Sequence, residues 1–232
     1  MPFHLAFDLL ASLCALTTTL IVWRWRLQGA AAKVDSAGAG YVLALVAGAA
    51  IGGFGLGSLN LWLSGTPMVA RSMLGALAGA ILAVELYKRG RGIAGSTGLI
   101  FVPAFAVSIM VGRWGCYFAG LADDTYGTPT TLPWGHDFGD GVLRHPVQLY
   151  ESAAMAAFLL YALAMLGTRN PRFLKDGFYL LVLWYAAQRF VWEFLKPYAP
   201  VVGPLNVFHL VCLALIAYAL LMMRPADERA RA

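Results

Sequence analysis

Charged side chains are scarce in this sequence. They make up 12% of the 232 residues, while hydrophobic residues make up 60% and the mean hydropathy is +0.69. Soluble domains contain about 25% charged residues. The composition therefore excludes an ordinary soluble domain and indicates that lipid surrounds much of the chain.

Cysteine is also scarce, and its pattern excludes two further classes of protein. The three cysteines, Cys14, Cys116 and Cys212, are odd in number, lie far apart, and form no CxxC pair. This pattern argues against both a disulfide framework and a zinc site. We expect no metal and no cofactor.

The charge that is present does not indicate nucleic acid binding. The net charge is +5, but the basic residues are dispersed and do not form a single basic surface. The first apolar run contains Asp8 and precedes Arg24 and Arg26, which is not the pattern of a secretory signal. We expect this run to remain as a membrane anchor.

Several apolar runs reach about 20 residues, the length that crosses a bilayer as a helix. Lipid offers no hydrogen-bond partners to the backbone, so such segments must be helical. We predict an all-α polytopic membrane protein with a single transmembrane domain over residues 1–232. About seven spans are expected, at Phe3–Trp23, Tyr41–Leu63, Met68–Tyr87, Thr97–Phe118, Val147–Leu166, Gly177–Leu195 and Pro204–Met223. A short loop is expected at about residues 119–146.

The basic residues predict the orientation. They follow spans one, three, five and seven: Arg24, Arg26, Lys33, Lys88, Arg89, Arg91, Arg169, Arg172, Lys175, Arg224, Arg229 and Arg231. The opposite side receives only Arg144 and Lys196. The positive-inside rule then places the C-terminus in the cytoplasm, and the N-terminus and the 119–146 loop outside. In that orientation Arg71, early in span three, and Arg113, late in span four, both lie near the outer side.

Glycine is frequent in spans two and three. The positions are Gly48, Gly52, Gly53, Gly55, Gly57, Gly75 and Gly79. Small residues at such spacing let two membrane helices approach closely. We predict tight packing between these two spans.

Two polar clusters interrupt the apolar runs. The first extends from Gly112 to Glu151, and the second is Gln188–Glu193. A guanidinium matches phosphate geometry and stays charged, so Arg113 and Arg189 are predicted to bind one phosphate, most simply that of a phospholipid headgroup. The alternatives are a structural ion pair between Arg189 and Glu193, four residues apart, and extension of Arg113 to the membrane interface.

The loop between the clusters contains other candidate residues. His145 precedes a proline at a helix start, where it could carry a proton or hold the loop by hydrogen bonds. The aspartates are expected to form turns beside glycines rather than to bind calcium. They are Asp123, Asp124, Asp137 and Asp140.

Three motifs resemble those of the bacterial prolipoprotein diacylglyceryl transferases. The segment Gly112–Gly120 is similar to the family's GRxGNFxNG pattern, and Arg144–Glu151 is similar to RHPSQLYE. The segment Arg189–Phe194 is similar to a later pattern with an arginine before VEF. The seven-span layout is also similar to that of the family.

The resemblance implies an activity. The family transfers the diacylglyceryl group of phosphatidylglycerol to the lipobox cysteine thiol of a preprolipoprotein and releases glycerol phosphate, without a metal. The partners implied are phosphatidylglycerol, the lipobox peptide and membrane lipid. The implied location is the bacterial cytoplasmic (inner) membrane, with the active site facing the extracytoplasmic side.

The resemblance also implies roles for residues at matching positions. Arg113 would hold the headgroup, and Arg189 would stabilise the leaving phosphate. Glu151 and Glu193 would orient the two arginines. The mouth of the site would contain four other residues of the segment Arg144–Glu151, namely Arg144, His145, Gln148 and Tyr150.

The sequence departs from the family pattern at three positions. Leu74 stands where the family has the histidine of an HGG motif, and Cys116 and Ala119 replace two asparagines. A thiol acceptor is partly ionised near neutral pH, so loss of a base does not exclude thiol chemistry. The departures leave two alternatives: the same donor with a different acceptor, or a lipid-binding protein without activity. Cys116 itself could be a nucleophile or a packing residue.

Overall fold

The computed structural model describes residues 2–224, and the side chains of residues 4–224. It contains eight α-helices in this range: α1 (Pro2–Val22), α2 (Gln28–Ala37), α3 (Ala39–Leu63), α4 (Met73–Arg91), α5 (Val102–Ala119), α6 (Val147–Gly167), α7 (Pro171–Glu193) and α8 (Val207–Met223). A π-helical turn (Trp23–Leu27) follows α1, and 3-10 turns flank α5 at Leu99–Phe101 and Gly120–Asp123. Two short antiparallel strands, β1 (His136–Asp137) and β2 (Leu143–Arg144), pair within the loop before α6.

The helices confirm an all-α polytopic membrane protein. Within the described residues, four helical stretches are long and apolar enough to cross a bilayer: His4–Ala37, Ala39–Leu63, Leu99–Asp123 and Val147–Gly167. The apolar helix α8 is shorter, at 17 residues. Each of the seven predicted spans overlaps one helix, α1 or α3 to α8, although α4 and α7 contain more charge than the other long helices.

The predicted boundaries of span three are wrong at the N-terminal side. The helix begins at Met73 rather than Met68, because Ser72 is extended and its hydroxyl accepts a hydrogen bond from the backbone N–H of Gly75 at 3.1 Å. Such a side-chain cap defines a helix start. Arg71 therefore precedes α4 instead of lying inside the span.

The two last spans also begin at capping residues. Asn170 accepts from the backbone of Phe173, so α7 starts at Pro171 rather than near Gly177. Asn206 accepts from the backbone of His209, so α8 starts at Val207 rather than Pro204. In each case a short polar side chain satisfies amide groups that the first helical turn leaves without partners.

The described chain divides into two compact units. The first contains the described residues up to Gln28 together with Gly98–Pro197, and the second contains Gly29–Thr97 and the described residues from Tyr198 onward. The expectation of one domain over the whole chain stays a prediction.

In the first unit, α1, α5, α6 and α7 pack side by side with alternating direction. Phe7 near the start of α1 stacks on Phe118 at the end of α5, with ring centroids 5.4 Å apart. The hydroxyl of Ser152 donates to the carbonyl of Met110 at 2.6 Å, and this contact joins the start of α6 to α5. The starts of α1 and α6, the ends of α5 and α7, and the loop before α6 therefore lie at the same end of this unit.

The second unit confirms the predicted glycine packing. A Cβ atom on Gly79 would lie 2.1 Å from the carbonyl oxygen of Gly48, and one on Gly52 would lie 2.3 Å from that of Gly75. The α3 and α4 backbones are thus too close for any larger residue at these positions. Gly55 differs, because a Cβ there would meet no atom within 4 Å.

Candidate active site

Three helix ends and one short extension bring buried charges together in the first unit. Arg113 lies in the last turns of α5, and Glu151 lies in the second turn of α6. Arg189 and Glu193 are one turn apart at the end of α7, and Lys196 follows that helix. We call these five residues the Glu151 cluster.

The Glu151 carboxylate is the centre of this cluster. Its Oε2 lies 2.6 Å from Arg113 Nε, and its Oε1 lies 2.5 Å from Arg189 Nη1 and 2.7 Å from Lys196 Nζ. The Nε of Arg189 lies 3.0 Å from Glu193 Oε2. Two arginines far apart in sequence therefore converge on the two oxygens of one carboxylate.

Burial makes these charges interact strongly. Glu151 is fully buried, and Arg189 exposes only 4% of its surface. Arg113 is 8% exposed and ion-paired, so it does not extend to the membrane interface as one sequence interpretation allowed. Charges in such low-dielectric surroundings are screened little, so their balance matters for any ligand.

The Glu151 cluster has an excess of positive charge. Three cations, Arg113, Arg189 and Lys196, face two carboxylates. Burial lowers the pKa of Lys196 to about 8, and the charge of Arg189 acts in the same direction while Glu151 opposes it. Lys196 is therefore mainly protonated at neutral pH, and the cluster then has one net positive charge.

A buried amide lies one turn before Glu151 on the same face of α6. Gln148 is 1% exposed, and neither its Nε2 nor its Oε1 has a hydrogen-bond partner among the described residues. Burying an amide without partners costs about 1–3 kcal/mol. The Oε1 of Gln188, one residue before Arg189, is also buried without a hydrogen-bond partner among the described residues. Both amides thus have unsatisfied polar atoms at positions close in sequence to members of the Glu151 cluster.

Three predicted mouth residues form a separate group in the loop. Tyr150 Oη accepts from Trp134 Nε1 at 2.8 Å and lies 3.4 Å from His145 Nδ1. Arg144 pairs with Asp140 at 2.5 Å, and its guanidinium lies 5.3 Å from the Tyr126 ring centroid. These contacts hold Arg144, His145 and Tyr150 together at the loop before α6.

The backbone of His145 also has a structural role. Its carbonyl accepts from the N–H of Gly127 at 3.1 Å, and its N–H donates to the carbonyl of Thr128 at the same distance. A Cβ on Gly127 would lie 2.3 Å from the His145 carbonyl oxygen, so this approach requires glycine. These backbone bonds help to hold the loop, and the role of the His145 side chain stays a prediction.

The aspartates of the loop separate into two kinds. Asp137 Oδ1 accepts from the backbone N–H groups of Gly139, Asp140 and Gly141, and the Gly139 bond in particular lowers the pKa of Asp137 below its usual range. This is the turn-forming role that the sequence predicted. Asp123 differs, because its carboxylate contacts the His4 ring at 2.9 Å.

Sequence reasoning missed Lys196 as a site residue. It lies three residues after Glu193, a spacing that could have indicated a shared ion-pair network. It was interpreted instead as one of the few basic residues on the outer side. Its burial depends on the chain turning back beside α6 after α7, which no local pattern reports.

Comparison with known proteins covers the helices that hold the Glu151 cluster. The model of a family described as prolipoprotein diacylglyceryl transferase matches residues 71–224, and this range contains the whole Glu151 cluster. The chain belongs to the prolipoprotein diacylglyceryl transferase family. Its long apolar helices and its family together make it a multi-pass bacterial membrane protein.

Individual members of the prolipoprotein diacylglyceryl transferase family are similar over part of the chain. The phosphatidylglycerol–prolipoprotein diacylglyceryl transferase of Finegoldia magna is 36% identical over 118 residues, which are 50% of this chain and 45% of the relative. The proteins of the same name from Nitratidesulfovibrio vulgaris and Methylococcus capsulatus are 33% and 32% identical over 68% and 67% of this chain. The matches span 62% and 61% of those two relatives. The chain thus matches about half to three fifths of the length of these relatives.

Proposed function

We propose that the protein transfers the diacylglyceryl group of phosphatidylglycerol to the lipobox cysteine thiol of a preprolipoprotein and releases glycerol phosphate. The observation that carries the proposal is the buried Glu151 carboxylate held between Arg113, Arg189 and Lys196. The phosphodiester of phosphatidylglycerol has one negative charge, which matches the one excess positive charge of the cluster. The names of the relatives supply the donor and the class of acceptor.

The reaction places new charge where the arginines are. The acceptor sulfur bonds to the terminal glyceryl carbon of the lipid while the bond from that carbon to the phosphate oxygen breaks. The electron pair stays on the phosphate, so the leaving glycerol phosphate gains negative charge as the thiol proton departs. Arg189 and Arg113 would stabilise that charge, and Glu151 would hold both guanidiniums in position beforehand.

The same end of the first unit is proposed to face the extracytoplasmic side. Arg24 and Arg26 follow α1, and Arg169, Arg172 and Lys175 lie at the junction of α6 and α7. Both basic groups lie at the opposite end of this unit from the Glu151 cluster. The positive-inside rule then favours a cytoplasmic location for that end and an extracytoplasmic one for the site, in the bacterial cytoplasmic membrane.

The test is transfer of labelled diacylglyceryl from phosphatidylglycerol to a lipobox peptide by the purified full chain. Arg189→Ala should lower the rate by about 10²–10³-fold, the usual cost of losing one transition-state donor. Arg172→Ala removes an exposed arginine at the opposite end of the same helix and should leave the rate unchanged. Equal background rates for the wild type and Arg189→Ala would reject the proposal.

A different acceptor is the second candidate, because Leu74, Cys116 and Ala119 depart from the family pattern. Leu74 is 1% exposed and packs as a core residue of α4, so it has no chemistry to offer. Lipid and lipoprotein analysis of a deletion strain separates the two. Normal lipoproteins together with a missing lipid would favour the second candidate, and unmodified lipoprotein precursors would favour the first.

A further inference from the structure

A second cluster of side chains lies next to the first and belongs to none of the roles above. His4 from α1, Cys116 from α5 and Asp123 from the 3-10 turn after α5 place one donor atom each within 4.8 Å of one another. The Nε2 of His4 is 2.9 Å from Asp123 Oδ1 and 3.9 Å from Cys116 Sγ. We call these three residues the His4 cluster.

These distances are close to those of a zinc site. With Zn–N bonds of about 2.0 Å and Zn–S bonds of about 2.3 Å, tetrahedral geometry separates nitrogen from sulfur by about 3.5 Å and nitrogen from oxygen by about 3.3 Å. Shifts of about 0.4 Å in the side chains would reach both values, while the third pair, Cys116 Sγ and an Asp123 carboxylate oxygen, lies within 4.8 Å and would have to close to about 3.5 Å. Imidazole, thiolate and carboxylate together form a donor set that suits zinc better than magnesium or calcium.

The surrounding groups have the arrangement that metal ligands require. His4 Nδ1 lies 3.2 Å from Asp8 Oδ2, one turn along α1, so this carboxylate can accept a hydrogen bond from Nδ1–H and direct Nε2 toward the cluster. Thr125 Oγ1 donates to Asp123 Oδ2 at 2.5 Å, which leaves Oδ1 on the side of His4. Ligating histidines and carboxylates are usually fixed by such outer hydrogen bonds.

We propose that His4, Cys116 and Asp123 bind one zinc ion and leave its fourth position open to an exogenous thiolate. Three protein ligands with an open position are typical of catalytic rather than structural zinc. The side chain of His4 is 29% exposed and that of Asp123 is 11% exposed, so a substrate can reach the cluster. Cys116, which is only partly buried, is then a ligand, not a packing residue.

The His4 cluster adjoins the Glu151 cluster. Arg113 Nη1 lies 3.9 Å from Cys116 Sγ, while the Nε of the same guanidinium holds Glu151. A zinc ion deprotonates a thiol that coordinates it. If the proposed function is right, zinc would hold an ionised acceptor thiol next to Arg113, the same arginine that would bind the leaving phosphate. It would supply the thiol activation that the family histidine, replaced here by Leu74, does not provide.

The proposed zinc site differs from the sequence-based expectation of no metal, and the difference has a physical reason. Zinc motifs are recognised from ligands at short spacing in one segment. Here the ligands come from three segments, and His4 reaches Cys116 only because the start of α1 packs against the end of α5.

The experiment measures metal binding by the tag-free full chain in detergent, after chelator treatment and removal of the chelator. Wild type should take up about one zinc per chain, and cobalt(II) should give a thiolate-to-cobalt charge-transfer band. Cys116→Ser should abolish that band and weaken zinc binding at least tenfold. Cys14→Ser makes the same chemical change in α1, outside the His4 cluster, and should alter neither the cobalt band nor the zinc affinity.

Asp8→Asn provides a second variant that leaves all three ligands in place. Loss of an outer hydrogen bond typically costs 10–100-fold in metal affinity, so this variant should bind zinc about that much more weakly while keeping the cobalt band. Circular dichroism checks that each variant keeps its helices. A wild type that binds no more zinc than Cys116→Ser, or a cobalt band that survives Cys116→Ser, would overturn the zinc proposal.

The outcomes also separate this proposal from the proposed function. Zinc uptake that depends on Cys116 without any transfer to a lipobox peptide would retain the site and reject the transferase activity. Transfer at full rate by metal-free protein would reject the role of zinc and retain the transferase. Transfer that is lost with the metal and restored by added zinc would support both.

Discussion

At the scale of single residues, Glu151 is the side chain on which the charge balance of the site depends. Its carboxylate pairs with Arg113, Arg189 and Lys196, and it is fully buried. Removing one partner of a buried ion pair leaves uncompensated charge and typically costs about 3–5 kcal/mol. We therefore expect Glu151→Gln to destabilise the protein by about that amount, measured as thermal or denaturant unfolding in detergent.

The matched control for Glu151→Gln is Asp140→Asn. Asp140 also pairs with an arginine, Arg144, but its side chain is 28% exposed in the loop. Exposed pairs contribute about 0–1 kcal/mol, so this variant should unfold almost as the wild type does. If both variants lose the same stability, the special position of Glu151 is not supported.

On the proposed function, we expect Lys196 to make the affinity for phosphatidylglycerol dependent on pH. Because burial lowers its pKa to about 8, the cationic form is present below that value and is lost as the pH rises through it. We expect the KM for phosphatidylglycerol to rise about tenfold between pH 7 and pH 9, following the protonated fraction of this one group. The measurement is the KM at each pH with the acceptor peptide saturating.

Lys196→Arg should remove that rise, because guanidinium stays charged throughout this range. Lys175→Arg changes an exposed lysine at the far end of α7 and should keep the wild-type pH dependence. A rise in KM that persists in Lys196→Arg would assign the pH effect to another group.

At the scale of elements, α3 and α4 depend on glycine for their close approach. Gly79→Ala would place a Cβ 2.1 Å from the carbonyl oxygen of Gly48, which forces the two helices apart. Overpacking of this kind typically costs about 1–3 kcal/mol of stability. We therefore expect Gly79→Ala to unfold at a lower temperature than the wild type in detergent.

Gly55→Ala is the comparison within the same pair of helices. A Cβ at Gly55 would meet no atom within 4 Å, and alanine favours a helix interior over glycine by about 0.5–1 kcal/mol. This variant should therefore be neutral or slightly more stable. Similar losses for Gly79→Ala and Gly55→Ala would indicate that helix propensity, and not helix contact, dominates at both positions.

At the scale of the whole molecule, the proposed orientation predicts which loops a membrane-impermeant maleimide reaches. In a variant whose three native cysteines are serine, Thr131→Cys in the exposed loop before α6 should react in intact spheroplasts. Arg172→Cys, exposed at the start of α7, should react only after the membrane is permeabilised. The reverse pattern would place the Glu151 cluster on the cytoplasmic side.

Much of the architecture follows from composition and local pattern. The chain has fewer charged residues than a soluble domain and contains apolar runs of about 20 residues, which together predict membrane helices. The helices α1 and α3 to α8 form where those runs lie. The glycines of spans two and three predict the close packing of α3 and α4. The helix starts at Met73, Pro171 and Val207 were missed because they depend on single capping side chains.

The candidate site was predictable in part. Arginines and glutamates inside apolar helices are costly, so Arg113, Glu151, Arg189 and Glu193 could be selected from the sequence alone. The same logic could not select Lys196, which lies beyond a helix end, or His4, which is separated from Cys116 by most of α1 to α5. The contacts that bring Lys196 and His4 into their clusters are made to Glu151 and Cys116, which lie in distant segments of the chain.

The sequence by itself determined that the chain lies in a membrane, which segments are helical, and which buried charges need partners. The tertiary structure alone decided that two arginines share one carboxylate with Lys196 between α5, α6 and α7, and that His4 meets Cys116 and Asp123. The physical reason is that α1, α5 and α6 are apolar along most of their length. Hydrophobicity drives them into lipid but does not select which faces meet, so helix order, direction and rotation are set by packing and by polar contacts between distant segments.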